Sequence, residues 1–254
     1  LPKPHELPAR ERANLQVIDS LNQRGGRMLS VVDLLEHGNL DLNMAAYLLQ
    51  RLQQGASLVT AARPGAAGKT AVMGALLALA PPGGTLEVVT SGAVGGRPDN
   101  PRPRWRVCHE LGSGGYYGYL WGREVDEYLQ QRGSGDHIAT NLHADTCEEV
   151  AEILSAPPLG VRRETWLGID LLLPLRVVRH GDETRRRVQS LWASDGGDFR
   201  ELWRWDPEGD TFQRLPGAPA EGELAAEREC LQGLWGAGIR ELSAFREALL
   251  ECLG

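Results

Sequence analysis

The hydrophobic positions of this 254-residue chain change period several times along its length. Between residues 11 and 23, Leu15, Ile18 and Leu21 recur on one side of a helical repeat. Residues 29–36 (LSVVDLLE) and 41–54 (DLNMAAYLLQRLQQ) predict two more helices, with Asn39 and Asp41 as polar starts and Gly38 and Gly55 as stops. ASLVTAA (56–62) then predicts a short buried strand. AVMGALLALA (71–80) predicts a helix ended by Pro81-Pro82, and TLEVVT (85–90) a second strand. WRVCHEL (105–111), GYYGYLW (115–121) and HIATNLHA (137–144) predict further strands, with a helix over REVDEYLQQR (123–132). Thr146 and Glu149 form the capping-box pattern ahead of the helix CEEVAEILSA. Residues 169–194 and 199–215 predict two hairpins turning at GDE and DPEGD, and residues 220–252 predict helix. Strand–loop–helix units in the middle third imply an α/β fold with a mostly parallel sheet, preceded by a helical lead-in and followed by β-hairpins and helices.

Composition narrows the classes. No run approaches the ~18 apolar residues of a membrane span, and LPKPHELPARER lacks the apolar core of a signal peptide. The expected location is therefore cytoplasmic, with any membrane association made through a partner. The net charge of −7 argues against a nucleic-acid partner held by phosphate neutralisation. Cys108, Cys147, Cys230 and Cys252 form no CxxC pair, so reduced thiols are expected. The basic residues are skewed: 25 are Arg and two are Lys, Lys3 and Lys69. An interior Lys in such a chain stands where Arg serves poorly, since Arg carries a bulkier planar fork.

Lys69 lies in Arg63-Pro-Gly-Ala-Ala-Gly-Lys-Thr70. A phosphate loop needs small residues so that backbone N–H groups converge on an anion, and a helix N-terminus behind them. It also needs one flexible ammonium for the phosphates and one hydroxyl for Mg²⁺. Pro64, Gly65, Ala66, Ala67 and Gly68 form the small wall, Lys69 and Thr70 supply the cation and hydroxyl, and Ala71 begins the helix. The strict pattern fails only at Arg63, where a glycine is usual. Binding of ATP with Mg²⁺ is the expectation.

With these segments in order, the chain resembles the traffic ATPases of type II secretion, type IV pili and archaella from about residue 28 onward. The lead-in and phosphate loop are similar to theirs. Asn141-Leu-His-Ala-Asp-Thr146 resembles their histidine box. IDLLLPLRVVRHGDETRRRVQSLWA and LWRWDPEGDTF resemble their arginine-rich and Trp-Asp-Pro hairpins. The resemblance implies a RecA-like P-loop core over residues 28–195, an N-terminal extension over 1–27 and a C-terminal appendage over 196–254. It implies a homo-oligomeric ring, such as a hexamer, working with a membrane platform or a pilus or secretion component. It assigns His143 a place near the terminal phosphate, and Asp145 a local turn.

Two departures bear on hydrolysis. The acidic box that the family carries after the second strand reads Val88-Val89-Thr90-Ser91-Gly92, without a carboxylate. The nearest match to its Walker B segment is Gly122-Arg123-Glu124-Val125, which makes Glu124 the candidate base or Mg²⁺ ligand. Arg185, Arg186 and Arg187 are either nucleotide or subunit contacts or a solvated strand face. Two alternatives stay open: a catalytically weak nucleotide-binding relative acting as an assembly or regulatory subunit, and a small-molecule phosphotransferase with the Arg97–Arg106 segment as its lid.

Overall fold

The computed structural model describes residues 7–23, 25–94, 103–132, 135–180 and 183–254. Lys3 and the first part of the expected Arg97–Arg106 lid lie outside the described residues.

Five strands make the parallel centre of one large sheet: β1 (Leu58–Ala61), β2 (Thr85–Val88), β3 (Arg104–Val107), β6 (Asp136–Leu142) and β7 (Leu171–His180). Their spatial order is β7-β1-β6-β3-β2. Short β4 (Glu110–Leu111) and β5 (Tyr119–Leu120) extend the β3 side. Beyond β7 the sheet turns antiparallel through β9 (Ser190–Ser194), β10 (Phe199–Asp206) and β11 (Thr211–Arg214). The chain is thus α/β with a mostly parallel, mixed sheet.

β1 and the first half of β7 are buried on both faces, which is why LVTA and LLLP read as largely apolar runs. Leu171 and Leu173 enter one core with Leu58 and Ala139; Leu172 points to the other with Val59 and Ile138. The first core is covered by α1 (Ala9–Ser20), α2 (Val31–Glu36), α3 (Leu42–Gln53), α4 (Lys69–Leu77), α8 (Ala225–Gly236) and α9 (Leu242–Leu253). The second lies under α5 (Arg123–Leu129), α6 (Cys147–Ser155) and α7 (Arg163–Trp166). Leu15 of α1 and Leu249 of α9 belong to the same core as Leu58, so elements on both sides of the expected boundaries at 27/28 and 195/196 share one interior.

β7 changes partner along its length. Leu171 and Leu172 pair with β9, whereas Leu175 to His180 pair with β8 (Glu183–Val188) in a separate two-stranded ribbon. Pro174 stands between these two stretches and opposite Ala61 of β1. Proline has no N–H to give to a ladder, so it fits where one antiparallel partner ends and the next begins.

Three expectations are corrected. GYYGYLW forms only the two-residue strand β5, and Tyr117 is 67% exposed; the glycines around it favour a loop over a ladder. Arg104 and Arg106 are not lid residues. Both are fully buried in β3, with Arg104 against Asp136 at 2.5 Å and Arg106 against Glu87 at 2.8 Å. Cys230 and Cys252 are disulfide-bonded, because the α8–α9 pair brings their Cα atoms to 5.9 Å. Cys108 and Cys147 remain buried free thiols, and burial pushes each up to about 12. No helix among the described residues is long and apolar enough to cross a membrane.

Candidate functional site

β1 ends at Ala61, and the chain turns through residues 62–68 into α4. Gly68, the residue ahead of α4, has φ +95°, and Ala66 has φ +66°. An L-residue in this left-handed region costs about 1 kcal/mol. Alternation of right- and left-handed residues is how backbone N–H groups turn into a concave anion nest. Behind them, the first turn of a helix leaves N–H groups without intrahelical acceptors. Arg186 of β8 donates from Nε to the Ala66 carbonyl at 2.9 Å, bracing the strained residue from outside.

The departure at Arg63 has a structural role. Its backbone N–H donates to Asp145 Oδ1 at 2.8 Å, and its guanidinium meets Glu149 of α6 at 2.9 Å. His143 Nδ1 lies 3.0 Å from the Arg63 carbonyl. Three side chains following β6 therefore hold the start of the loop. Asp145 orients this turn, and the Asp145 N–H, followed by the Arg63 hydrogen bond, keeps the Glu149 carboxyl below its usual range.

Lys69 is 8% exposed. Its Nζ donates to the Ala62 carbonyl at 3.0 Å and lies 3.2 Å from Glu110 Oε2. His143 joins them, with ring nitrogens 3.3 and 3.4 Å from Lys69 Nζ and Nε2 3.0 Å from Glu110 Oε1. Lysine, glutamate and histidine come from α4, β4 and the end of β6, so the carboxyl ends of neighbouring parallel strands supply the cluster. That is where open α/β sheets place ligands.

Asn141, fully buried on β6, connects the parts. Thr60 Oγ1 donates to its Oδ1; its Nδ2 donates to the His109 carbonyl at 2.7 Å and reaches Thr70 Oγ1 at 3.4 Å. One amide thus ties β1, the first turn of α4 and the segment that carries Glu110.

These groups line a cavity of about 420 Å³. Pro64 to Ala71 make one wall, and Lys69, Glu110, His109 and His143 lie within it. Segment 21–29, between α1 and α2, supplies the opposite wall through Leu21, Gln23 and Arg27. The volume is in the usual range of small-ligand pockets, roughly 300–1,000 Å³.

The expected residues Pro64, Gly65, Ala66, Ala67, Gly68, Lys69, Thr70, Ala71 and His143 are gathered here. Glu124 is not: its carboxylate accepts from Ser91 Oγ at 2.8 Å and from the Gly92 N–H at 2.6 Å, at the start of α5. Glu110 takes the place beside Lys69 that the sequence reading gave to Glu124. The sequence reading did not single it out, although it lies shortly after the carboxyl end of β3, where open α/β sheets place ligands. The wall at 21–29 carried no motif.

Among the described residues no three His, Cys, Asp or Glu side chains gather as a metal site. Magnesium bound with a nucleotide asks for less: one or two protein oxygens, with phosphate and water completing the shell. Thr70 meets this. Asn141 occupies one lone pair of its hydroxyl and a second is left for a cation. The donor set fits Mg²⁺ accompanying phosphates. In comparisons with known proteins, no family model and no curated protein matches the chain.

Proposed function

We propose that the chain binds ATP with Mg²⁺ in this cavity and hydrolyses it, as a RecA-like P-loop ATPase of the secretion and pilus motor type. The observation that carries the reading is the Lys69–Glu110 contact of 3.2 Å at the mouth of an anion-shaped loop. Without ligand, the Lys69 ammonium uses a carboxylate as its counter-ion. A triphosphate offers a denser negative charge at the same point, so Lys69 would transfer to it and release Glu110.

Glu110 then stands beside the terminal phosphate with a carboxylate freed from Lys69 and still in contact with His143. It would take a proton from water as that water attacks the terminal phosphorus and the bond to the bridging oxygen of ADP breaks. His143, on the same carboxylate, would orient it. Lys69 and Arg186 would offset charge on the phosphates, and Thr70 would hold the metal. Bound Mg²⁺ supplies neutralisation of phosphate oxygen charge. The ring and the filament or secretion platform rest on the sequence resemblance alone.

The test is steady-state phosphate release with Mg·ATP. Wild-type turnover should exceed that of Lys69→Ala by at least about 100-fold; equal rates would refute the hydrolase. ATP binding by wild type that is lost in Lys69→Ala, with turnover by neither, would favour the regulatory relative.

A further inference from the structure

His109 is left unexplained by this account. It is 9% exposed and lines the cavity with Lys69 and Glu110. Tyr116 stands edge-on to its ring at a centroid distance of 5.4 Å, and Tyr119 lies tilted at 5.8 Å. Gly114 and Gly118 make that packing possible, because a Cβ at either would sit 2.6 Å from the Tyr119 or Tyr116 ring. The imidazole is thus held in place by a purpose-shaped aromatic wall. The backbone of Leu21 reaches the ring but falls short of hydrogen-bond geometry, so neither Nδ1 nor Nε2 completes a hydrogen bond among the described residues.

A buried polar group without a partner costs about 1–3 kcal/mol, and such groups in native proteins call for an explanation such as a missing ligand. Burial lowers the proton affinity of this ring, opposed by the Leu21 carbonyl and Glu110 and assisted by Lys69. The ring is therefore neutral at neutral pH, with one N–H to donate. It lines the same cavity as Lys69 and Glu110, and both charges act on its ring.

We infer that His109 is a ligand-contacting residue whose ring N–H donates to the terminal phosphate of a bound nucleoside triphosphate, so that the site distinguishes tri- from diphosphate. The inference rests on the phosphate-site reading and deepens it. A diphosphate ends one phosphate short and leaves the ring unsatisfied.

Calorimetry with ADP and with a non-hydrolysable ATP analogue, each with Mg²⁺, tests it in wild type, His109→Phe, His109→Gln and Lys69→Ala. His109→Phe should weaken the analogue about 10-fold and leave ADP unchanged, and His109→Gln should restore part of the loss. Equal effects on both nucleotides, or none, overturn the role of His109 provided Lys69→Ala still abolishes binding. Lys69→Ala binding as tightly as wild type overturns the phosphate site itself. Should the Phe variant not fold, ¹⁵N-histidine spectra of the wild type decide. The His109 ring nitrogens should shift with the analogue and not with ADP; identical responses to both refute the proposal.

Discussion

Two carboxylates, Glu110 in the cavity and Glu124 outside it, have different neighbours, and substitution separates them. Glu110→Gln keeps the shape of the site but removes the counter-ion of Lys69 and, on the proposed mechanism, the proton acceptor. Phosphate release should fall about 10²–10⁴-fold, while ATP affinity should rise, since the phosphates no longer displace a carboxylate. Glu124→Gln loses only its bonds to Ser91 and Gly92, and turnover should stay at the wild-type rate. The reverse pattern in the same phosphate-release assay would return the base to Glu124. Lys69 was legible because the spacing of its loop has a mechanical reason, and His143 only through the resemblance to a histidine box. Glu110 was not. WRVCHEL reads simply as a strand with polar punctuation, and the partners that give its acid a meaning, Lys69 and His143, are distant in sequence. Only the adjacency of β3, β6 and β1 brings them together.

At the scale of elements, the β10–β11 turn is fastened to the arginine ribbon. Asp210 accepts from Arg187 Nε at 2.7 Å and Trp205 Nε1 at 2.9 Å, and pairs with Arg185 at 3.0 Å. The Arg187 hydrogen bond, opposed by burial and aided by Trp205 and the two arginine charges, holds its carboxyl down to about 2. A carboxyl depressed in the folded state stabilises above its unfolded value of about 4. That contribution is lost as pH falls from there through about 2. Asp210 has φ +49°, which asparagine tolerates, so Asp210→Asn isolates the charge. Its melting temperature should lie about 2–4 °C below wild type at pH 7, with the gap closing towards pH 2. A gap that stays constant would show the charge to be idle. The hairpins themselves were readable from alternation and turn residues. The arginines were ambiguous, since a run of like charges has one appearance whether solvated or paired. Here Arg185 and Arg187 meet Asp210, while Arg186 reaches the phosphate loop.

The whole molecule is closed by its two ends. Arg246 of α9 is 3% exposed; its Nε donates to Glu11 of α1 at 2.8 Å, and its Nη1 to the Ala78 and Ala80 carbonyls after α4 at 3.0 and 2.6 Å. Arg246→Met leaves Glu11 buried without its cation and should cost about 3–5 kcal/mol. Glu11→Met/Arg246→Met should recover part of that loss. Urea denaturation measures both, and a single variant as stable as wild type would rule the pair out as a fastening. The family resemblance implied an extension and an appendage here, and apolar periodicity did not speak against it, because it marks a helix face without naming what it faces. Leu15, Phe245 and Leu249 in one core with the strands supply that missing information.

Pro174 gives β7 the form of a lever. Its first half is bonded into the central sheet beside β1, the strand that feeds the phosphate loop, and its second half leaves that sheet as the arm of a two-stranded ribbon. Six residues of strand span roughly 20 Å at about 3.3 Å each. A tilt of about 5° at the fulcrum would therefore move the ribbon's tip by nearly 2 Å, by the same geometry. Arg186 sits on the short side of that arm, touching Ala66. If the ligand proposed above shifts the loop at Ala66, a small displacement there would reach the ribbon's tip enlarged.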